Sequence, residues 1–309
     1  MQEGNFAPRA DRRAVIRRRA RTQTGSWARG SVSAAADVGT RRLRMVTWNV
    51  ARRRSTLVEQ ASVLAGRAPG VVALQEVTRQ TLPLWRRAFV LMGLPHVCSS
   101  LDAAQDHGAA PPARRPTGVM LASRTPLRDV ETLLSVPWPE TALRAVAETS
   151  CGAVEIFCVH VPNAANGGIK PQTLRGIRHD VAVAGPGARV VCGDLNTPRR
   201  ELSTGEVISF ARDRRGRLRP ERGADWDAAE LGVVPGLQDL GYRDAYRALH
   251  GYAHPEPSWT WKRIAGHSGG WRIDHIFASA ELQAISCLYH HTWRDTGLSD
   301  HSALEADFA

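Results

Sequence analysis

Lysine is almost missing from this 309-residue chain: only Lys170 and Lys262 occur, so 39 of the 41 basic residues are arginine. GC-rich coding produces such a bias without selection for binding, which weakens what a formal net charge of +11 implies. Eight of the arginines lie before residue 41 against Glu3, Asp11 and Asp37, leaving +6 on the remainder. Affinity for a polyanion is therefore allowed by composition and not established by it. The five cysteines (98, 151, 158, 192 and 287) include no Cys-x-x-Cys and are odd in number. That argues against a structural zinc site and a disulfide framework. Cys158 and Cys192 fall inside apolar runs and read as buried thiols, in keeping with a reducing cytoplasm. No apolar run approaches the roughly 18 residues that a membrane helix needs. The Arg-Arg pairs near the start lack the apolar stretch of an export signal. Residues 1–42 thus read as a disordered, Arg-rich extension or as translation from a misassigned start. Residues 43–309, long enough for a sizeable core, read as one globular, soluble domain and as a monomer with no obligate protein partner.

From Leu43 onward, short apolar runs alternate with helical patterns, as a layered α/β architecture requires. Leu43 to Val50 reads as the first strand. A helix follows with Ser55 as its cap and Leu57, Ala61, Leu64 and Ala65 on one face, then the apolar run Val71 to Leu74. Leu82, Trp85 and Phe89 mark a second helix, and Leu174, Ile177 and Val181 a third. Further strands are expected at 119–122, 146–149, 154–160, 190–192, 271–277 and 303–308. The stretch from Ser99 to Thr117 reads as a long loop. The stretch from Arg199 to Arg222 is a polar excursion that contains six arginines from 212 onward (212, 214, 215, 217, 219 and 222), read as a solvated loop beside a site.

Polar residues stand where apolar strands end, which is where α/β sheets present side chains to ligands. Gln75-Glu76, His160 and Asp194-Leu195-Asn196 each close such a run. One strand-end carboxylate alone is more often a turn or cap residue than a ligand. Together, Glu76, Asp194 and Asp300 offer the hard oxygen ligands that Mg²⁺ prefers, and His160 and His301 offer groups that carry charge near neutral pH. Carboxylates and histidines without cysteine favour an oxygen-ligated cation over zinc.

Six segments in this order resemble the endonuclease/exonuclease/phosphatase superfamily, in which AP endonucleases and deoxyribonuclease I stand. They are Thr47-Trp48-Asn49-Val50, Leu74-Gln75-Glu76-Val77, His160-Val161-Pro162-Asn163, Gly193-Asp194-Leu195-Asn196, Arg272-Ile273-Asp274-His275 and Leu298-Ser299-Asp300-His301. The resemblance implies a four-layered α/β sandwich, two packed mixed β-sheets flanked by helices, with the site at their rim. It implies that Glu76 binds Mg²⁺ or Mn²⁺ with Asn49 and Asp300, that Asp194 orients or deprotonates water, and that Asn196 holds a phosphate oxygen. His301, polarised by Asp274, would contact the scissile phosphate; His160 would stabilise charge from the other side, and Asn163 would support that loop. Trp271 and Ile273 match a sugar-pocket wall, whose second aromatic would fall at Ser258. For Trp259 packing is the better reading, and for Trp271 packing and substrate contact stand level.

The reading that follows is a divalent-metal-dependent phosphoesterase, foremost a nuclease hydrolysing DNA at abasic sites or strand ends, of the DNA-repair kind. Val77-Thr78 after Glu76, and His rather than Tyr at 160, depart from the AP-endonuclease pattern. They keep open a phosphatase or phosphodiesterase for a small molecule or lipid headgroup. A nucleic-acid-binding module that has lost catalysis ranks below both, because every position the chemistry needs holds a competent residue.

Overall fold

The computed structural model describes residues 42–102, 117–132, 135–264 and 267–309. The extension read for 1–42, save its last residue, and the middle of the loop read for 99–117 lie outside the described residues. In chain order the strands begin β1 (Leu43–Asn49), β2 (Val71–Thr78), β3 (His96–Ser99), β4 (Thr117–Ser123), β5 (Leu127–Glu131), β6 (Ala142–Thr149), β7 (Gly152–His160) and β8 (Ala188–Asp194). They continue as β9 (Arg200–Glu201), β10 (Val207–Ile208), β11 (Tyr242–Asp244), β12 (Trp259–Ile264), β13 (His267–Trp271), β14 (Asp274–Ser279), β15 (Ala284–His290) and β16 (Ala303–Phe308). The helices used below are α1 (Leu57–Ala65), α2 (Leu82–Leu91), α3 (Ile169–Val183), α4 (Gly223–Leu231) and α5 (Ala245–His250).

Two six-stranded mixed sheets, ordered β15-β16-β1-β2-β4-β3 and β11-β14-β8-β7-β6-β5, pack face to face. Both strand faces are covered, so the strands read as continuous apolar runs rather than as alternating ones. In β1, Met45 points to the core between the sheets, while Val46 and Trp48 point outward to α1 and α2. In the second sheet, Ile156 and Val190 face inward, and Phe157 and Val191 face the layer of α3 and α4. Four layers result, as the resemblance implies. Each sheet contains one parallel strand pair, β1 with β2 and β7 with β8, connected through α1 and α3 respectively. The carboxyl ends of these four strands carry Asn49, Gln75-Glu76, His160 and Asp194.

Three local expectations change. Helix α1 starts at Leu57 after Thr56, which makes no side-chain cap. Ala65 is exposed, and the buried face takes Gln60 instead, whose amide donates to the carbonyls of Val50 (3.2 Å) and Leu298 (2.9 Å). The strand expected at 271–277 is broken, β13 ending at Trp271 and β14 beginning at Asp274. The break has a local partner: Ser258 Oγ accepts the amides of Ile273 (3.0 Å) and Asp274 (3.1 Å), while Asp274 keeps its register opposite Asp194. The Arg199–Arg222 excursion is a structured flap rather than a plain solvated loop. It contains the β9–β10 pair and is tied down by Arg212 on Asp227 at 2.6 Å.

Cys158 and Cys192 are fully buried and sit opposite each other in the β7–β8 register. Burial pushes the Cys192 thiol well above its ordinary pKa, so it stays protonated and inert. Among the described residues no helix is long and apolar enough to cross a membrane.

Candidate active site

Register brings the second sheet's polar groups into one row, because Asp194 pairs with His160 on one side and with Asp274 on the other. The first sheet supplies Asn49 and Gln75 at a shared register position, with Glu76 next. A register shift between Leu74 and Val77 puts Glu76 at φ +58°, a left-handed conformation that costs a non-glycine residue energy. The bulge turns the Glu76 carboxylate out of the sheet, toward His160 Nε2 at 3.7 Å and Arg52 Nε at 3.0 Å. Gln75 holds the bulge from inside, its amide on Thr47 Oγ1 at 3.0 Å.

Asp194 is fully buried at the centre of the row. Asn49 Nδ2 donates to it at 3.0 Å and the Asn196 amide at 2.9 Å, while His160 and His301 each present Nε2 at 3.8 Å. Burial, with the nearby Asp274 charge, pushes the Asp194 pKa up to about 6 against the pull of both histidines. Asn196, at φ +49°, gives one N–H to the Val161 carbonyl at 2.7 Å and lies 3.4 Å from Asp194 with its Nδ2.

His301 is clamped from three directions. Its Nδ1 meets Asp274 Oδ2 at 2.9 Å, its backbone amide donates to Ser299 Oγ at 3.1 Å, and its carbonyl accepts Trp48 Nε1 at 3.0 Å. Burial disfavours the imidazolium, but the Asp274 and Asp194 carboxylates outweigh it and push the pKa up to about 10. The ring is therefore cationic at neutral pH, with Nε2 directed at Asp194.

Nine of the eleven residues selected from sequence line one cavity of about 420 Å³: Glu76, His160, Asn163, Asp194, Asn196, Trp271, Ile273, Asp300 and His301. The other two, Asn49 and Asp274, stand behind it. Asn49 uses both ends of its amide, donating to Asp194 and accepting Ala51 N at 2.9 Å, so it reaches the cavity through Asp194. Asn163 accepts Ala165 N at 3.1 Å and organises its own loop. Asp300 is exposed and accepts Trp259 Nε1 at 3.2 Å. Trp271 both packs and lines the cavity: it stacks on Trp259 at 5.1 Å and meets Phe210 edge-on at 4.9 Å. Trp259 does the same, where sequence alone favoured packing. Ser258, the expected place of a second wall aromatic, instead holds the hydroxyl that accepts both amides at the β13–β14 break.

Four of the contributors that sequence reasoning missed bear on the chemistry. Arg52, Trp138 and Glu140 also line the cavity, and no motif surrounds them. The fourth is Lys170, fully buried, which donates to the Asn196 carbonyl and to Glu230 Oε1, each at 2.7 Å. The scarcity of lysine in so arginine-rich a chain was its one available signal.

The residues fit a hard divalent cation. Glu76, Asp194 and Asp300 all line the cavity, which has no cysteine in its lining, and Glu76 is held there by Arg52 at 3.0 Å. The ligand atoms of Asp194, Asp274 and His301 lie within 4.8 Å of one another, a grouping different from the expected Asn49, Glu76 and Asp300. In that trio the His301–Asp274 hydrogen bond takes Nδ1, leaving Nε2 and Asp194 to face the cavity.

Comparison with known proteins places the chain in a family and supports its fold. The model of the Endonuclease/Exonuclease/phosphatase family matches residues 46–301. None of the curated proteins matches the sequence. An AP endonuclease from Archaeoglobus fulgidus superposes with a TM-score of 0.66 at 22% identity, covering 86% of this chain and 99% of that one. The 3'-5' exonuclease NExo from Neisseria meningitidis gives 0.61 at 22% identity over the same shares, 86% and 99%. TDP2 from D. rerio, complexed with a single-strand DNA product, gives 0.59 at 16% identity, covering 87% and 99%. At these identities the structural likeness shows the fold.

Proposed function

The chain belongs to the Endonuclease/Exonuclease/phosphatase family, whose members are metal-dependent phosphoester hydrolases, and from that premise we propose that it is a Mg²⁺- or Mn²⁺-dependent nuclease hydrolysing DNA phosphodiester bonds, at abasic sites or strand ends. The observation that carries this reading is the row His160, Asp194 and His301 around one cavity, with the Asp274 carboxylate locked behind the imidazole. In this reading Glu76 and Asp300 hold the cation, and Asn49 keeps Asp194 turned toward it. When bound, the cation neutralises charge on the phosphate and favours the ionised form of an attacking water.

Asp194 accepts the water's proton as the water oxygen attacks phosphorus; the P–O bond on the far side breaks, its electron pair going to the leaving oxygen, which takes a proton from solvent. His301 and His160 face the non-bridging oxygens on which negative charge grows, and the second Asn196 N–H holds one of them. Asp274 keeps His301 charged and correctly turned. Trp271 and Ile273 form the apolar wall against which a sugar lies. That DNA is the substrate is supported by the AP endonuclease and the DNA-bound TDP2 among the similar structures. Five unpaired cysteines support a reducing, cytoplasmic setting.

A second reading, hydrolysis of a small or lipid phosphoester, is favoured by the cavity's 420 Å³, which suits a single headgroup. A panel of abasic duplex, nicked DNA, single-stranded oligonucleotide, inositol phosphates and sphingomyelin, each with and without EDTA, separates the two. EDTA-sensitive cleavage of the DNA substrates is expected. Activity confined to inositol phosphates or sphingomyelin sinks the nuclease reading.

A further inference from the structure

Beyond the Trp259–Trp271 stack lies a second groove, of about 1180 Å³, which the reaction just described does not use. Trp259 and Trp271 line both spaces, so the groove adjoins the cavity across this stack. Its far wall is the arginine-rich flap, the one motif of the sequence that the catalytic row leaves unexplained.

Two properties set the groove apart from an ordinary solvated surface. The first is uncompensated charge. Its acidic lining residues are already engaged: Glu201 with Arg247 and Arg272, Asp213 with Arg217, Glu256 with His291, and Asp295 with Arg294. Arg199, Arg200 and Arg214 also line the groove, and among the described residues no ion pair engages them. Partial burial and the like charges of Arg219, Arg214 and Arg222 outweigh the nearby Asp213 charge and hold the Arg199 pKa below its ordinary value.

The second property is an aromatic platform. Trp261 lines the groove but not the cavity, is only half-buried, and lies 4.9 Å from Trp271 by ring centroid. Its ring crosses Gly269 so closely that a Cβ there would meet it at 2.0 Å, so the glycine is what lets the indole lie in this place. A positively charged track beside half-buried indoles that line the groove matches the recognition of unpaired nucleotides, whose bases stack while their phosphates follow the cations. A regular duplex keeps its bases inside and offers nothing to such a platform.

We propose that this groove is a polynucleotide subsite, which takes the unpaired strand leading away from the scissile phosphate, one base on Trp261 and its phosphates on Arg199, Arg200 and Arg214. The proposal rests on the nuclease reading for its link to the reaction, but its binding test is independent of turnover. The full chain is titrated in EDTA with a fluorescein-labelled single-stranded 10-mer, read by anisotropy, for wild type, Arg200→Ala/Arg214→Ala and Trp261→Ala. Thermal melting checks that each variant is folded, and the double arginine variant leaves the indole packing untouched.

About tenfold weaker binding is expected for each variant. For the arginine pair, the slope of log affinity against log salt should become shallower by roughly 1.4, two phosphate contacts' worth. Wild-type affinity in both variants, or tighter wild-type binding of a blunt duplex of the same length, overturns the subsite. Weakened binding in the variants, with no oligonucleotide hydrolysed by wild type in Mg²⁺, supports the subsite and overturns the nuclease reading instead.

Discussion

At the sheet rim, strand register and the Asn49 amide, which donates to it, fix Asp194, and Ser299 Oγ, which accepts its backbone N–H, helps fix His301; each keeps one atom facing the cavity. Behind the rim, Lys170 and Arg272 are saturated. Lys170 is closed off by Glu230 and the Asn196 carbonyl. Arg272 is closed off by Glu201 at 2.5 Å and Asp244 at 2.6 Å, and Asp244 also caps α5 through the amides of Tyr246 and Arg247. Both regions bury charge. The rim leaves it an outlet toward a ligand, whereas the support spends it on holding loops, and the two should fail differently when altered.

The largest separation is expected from His301→Ala. Losing an oriented acid–base or charge-stabilising group lowers kcat by roughly 10²- to 10⁴-fold, and circular dichroism should still report a folded chain. Near-normal metal-dependent turnover would remove the rim from the chemistry. Lys170→Met should show the opposite pattern. It strands a buried Glu230 carboxylate, which costs about 3–5 kcal/mol, read from denaturant unfolding, whereas Lys170→Met/Glu230→Leu should recover part of that loss. Unchanged stability in the single variant would mean that the pair supports nothing.

Ser258→Ala tests the border between the regions. It leaves two amide groups without their acceptor and should cost about 1–3 kcal/mol, together with a rise in KM if Trp271 shifts with the freed segment. A variant as stable as wild type, with unaltered KM, would show that the β13–β14 break does not depend on the hydroxyl. The smallest effect belongs to a charge far from the site. Burial raises the Glu305 pKa, but the Arg67 and His290 hydrogen bonds outweigh it and bring it from 4.5 down to about 2. A depressed carboxylate contributes stability that is present above its unfolded pKa and lost as pH falls through the folded one. The melting temperature should therefore fall between about pH 4.5 and 2, and Glu305→Gln should flatten that part of the profile. A variant profile parallel to wild type there would exclude the linkage.

Most of the rim was legible in the sequence, because strand ends carry their polar residues next to apolar runs, and six such segments stand in family order. Register then did the rest: once β7, β8 and β14 pair as they do, His160, Asp194 and Asp274 must be neighbours. The support was illegible for a physical reason. Its ion pairs join residues far apart in the chain, 60 positions for Lys170 and Glu230 and 71 for Arg272 and Glu201, with no local pattern to mark either partner. Ser258 and Gln60 escaped likewise, since a buried polar side chain that serves backbone groups looks like an error in an apolar periodicity. The flap arginines read as solvated because a run of charge ordinarily is; Arg212 on Asp227 shows that one of them is structural.

Asp194 is where the two sheets meet, and one comparison decides whether it is also where the reaction happens. Initial rates of cleavage of a labelled abasic or single-stranded oligonucleotide in Mg²⁺ are measured for wild type, for wild type with excess EDTA, and for Asp194→Asn. Cleavage should fall to background with EDTA and in the variant, while the variant's melting curve and its affinity for the 10-mer stay close to wild type. Cleavage by Asp194→Asn at near-wild-type rate, or a wild-type rate indifferent to EDTA, would contradict a metal-dependent phosphodiester hydrolysis centred on this carboxylate.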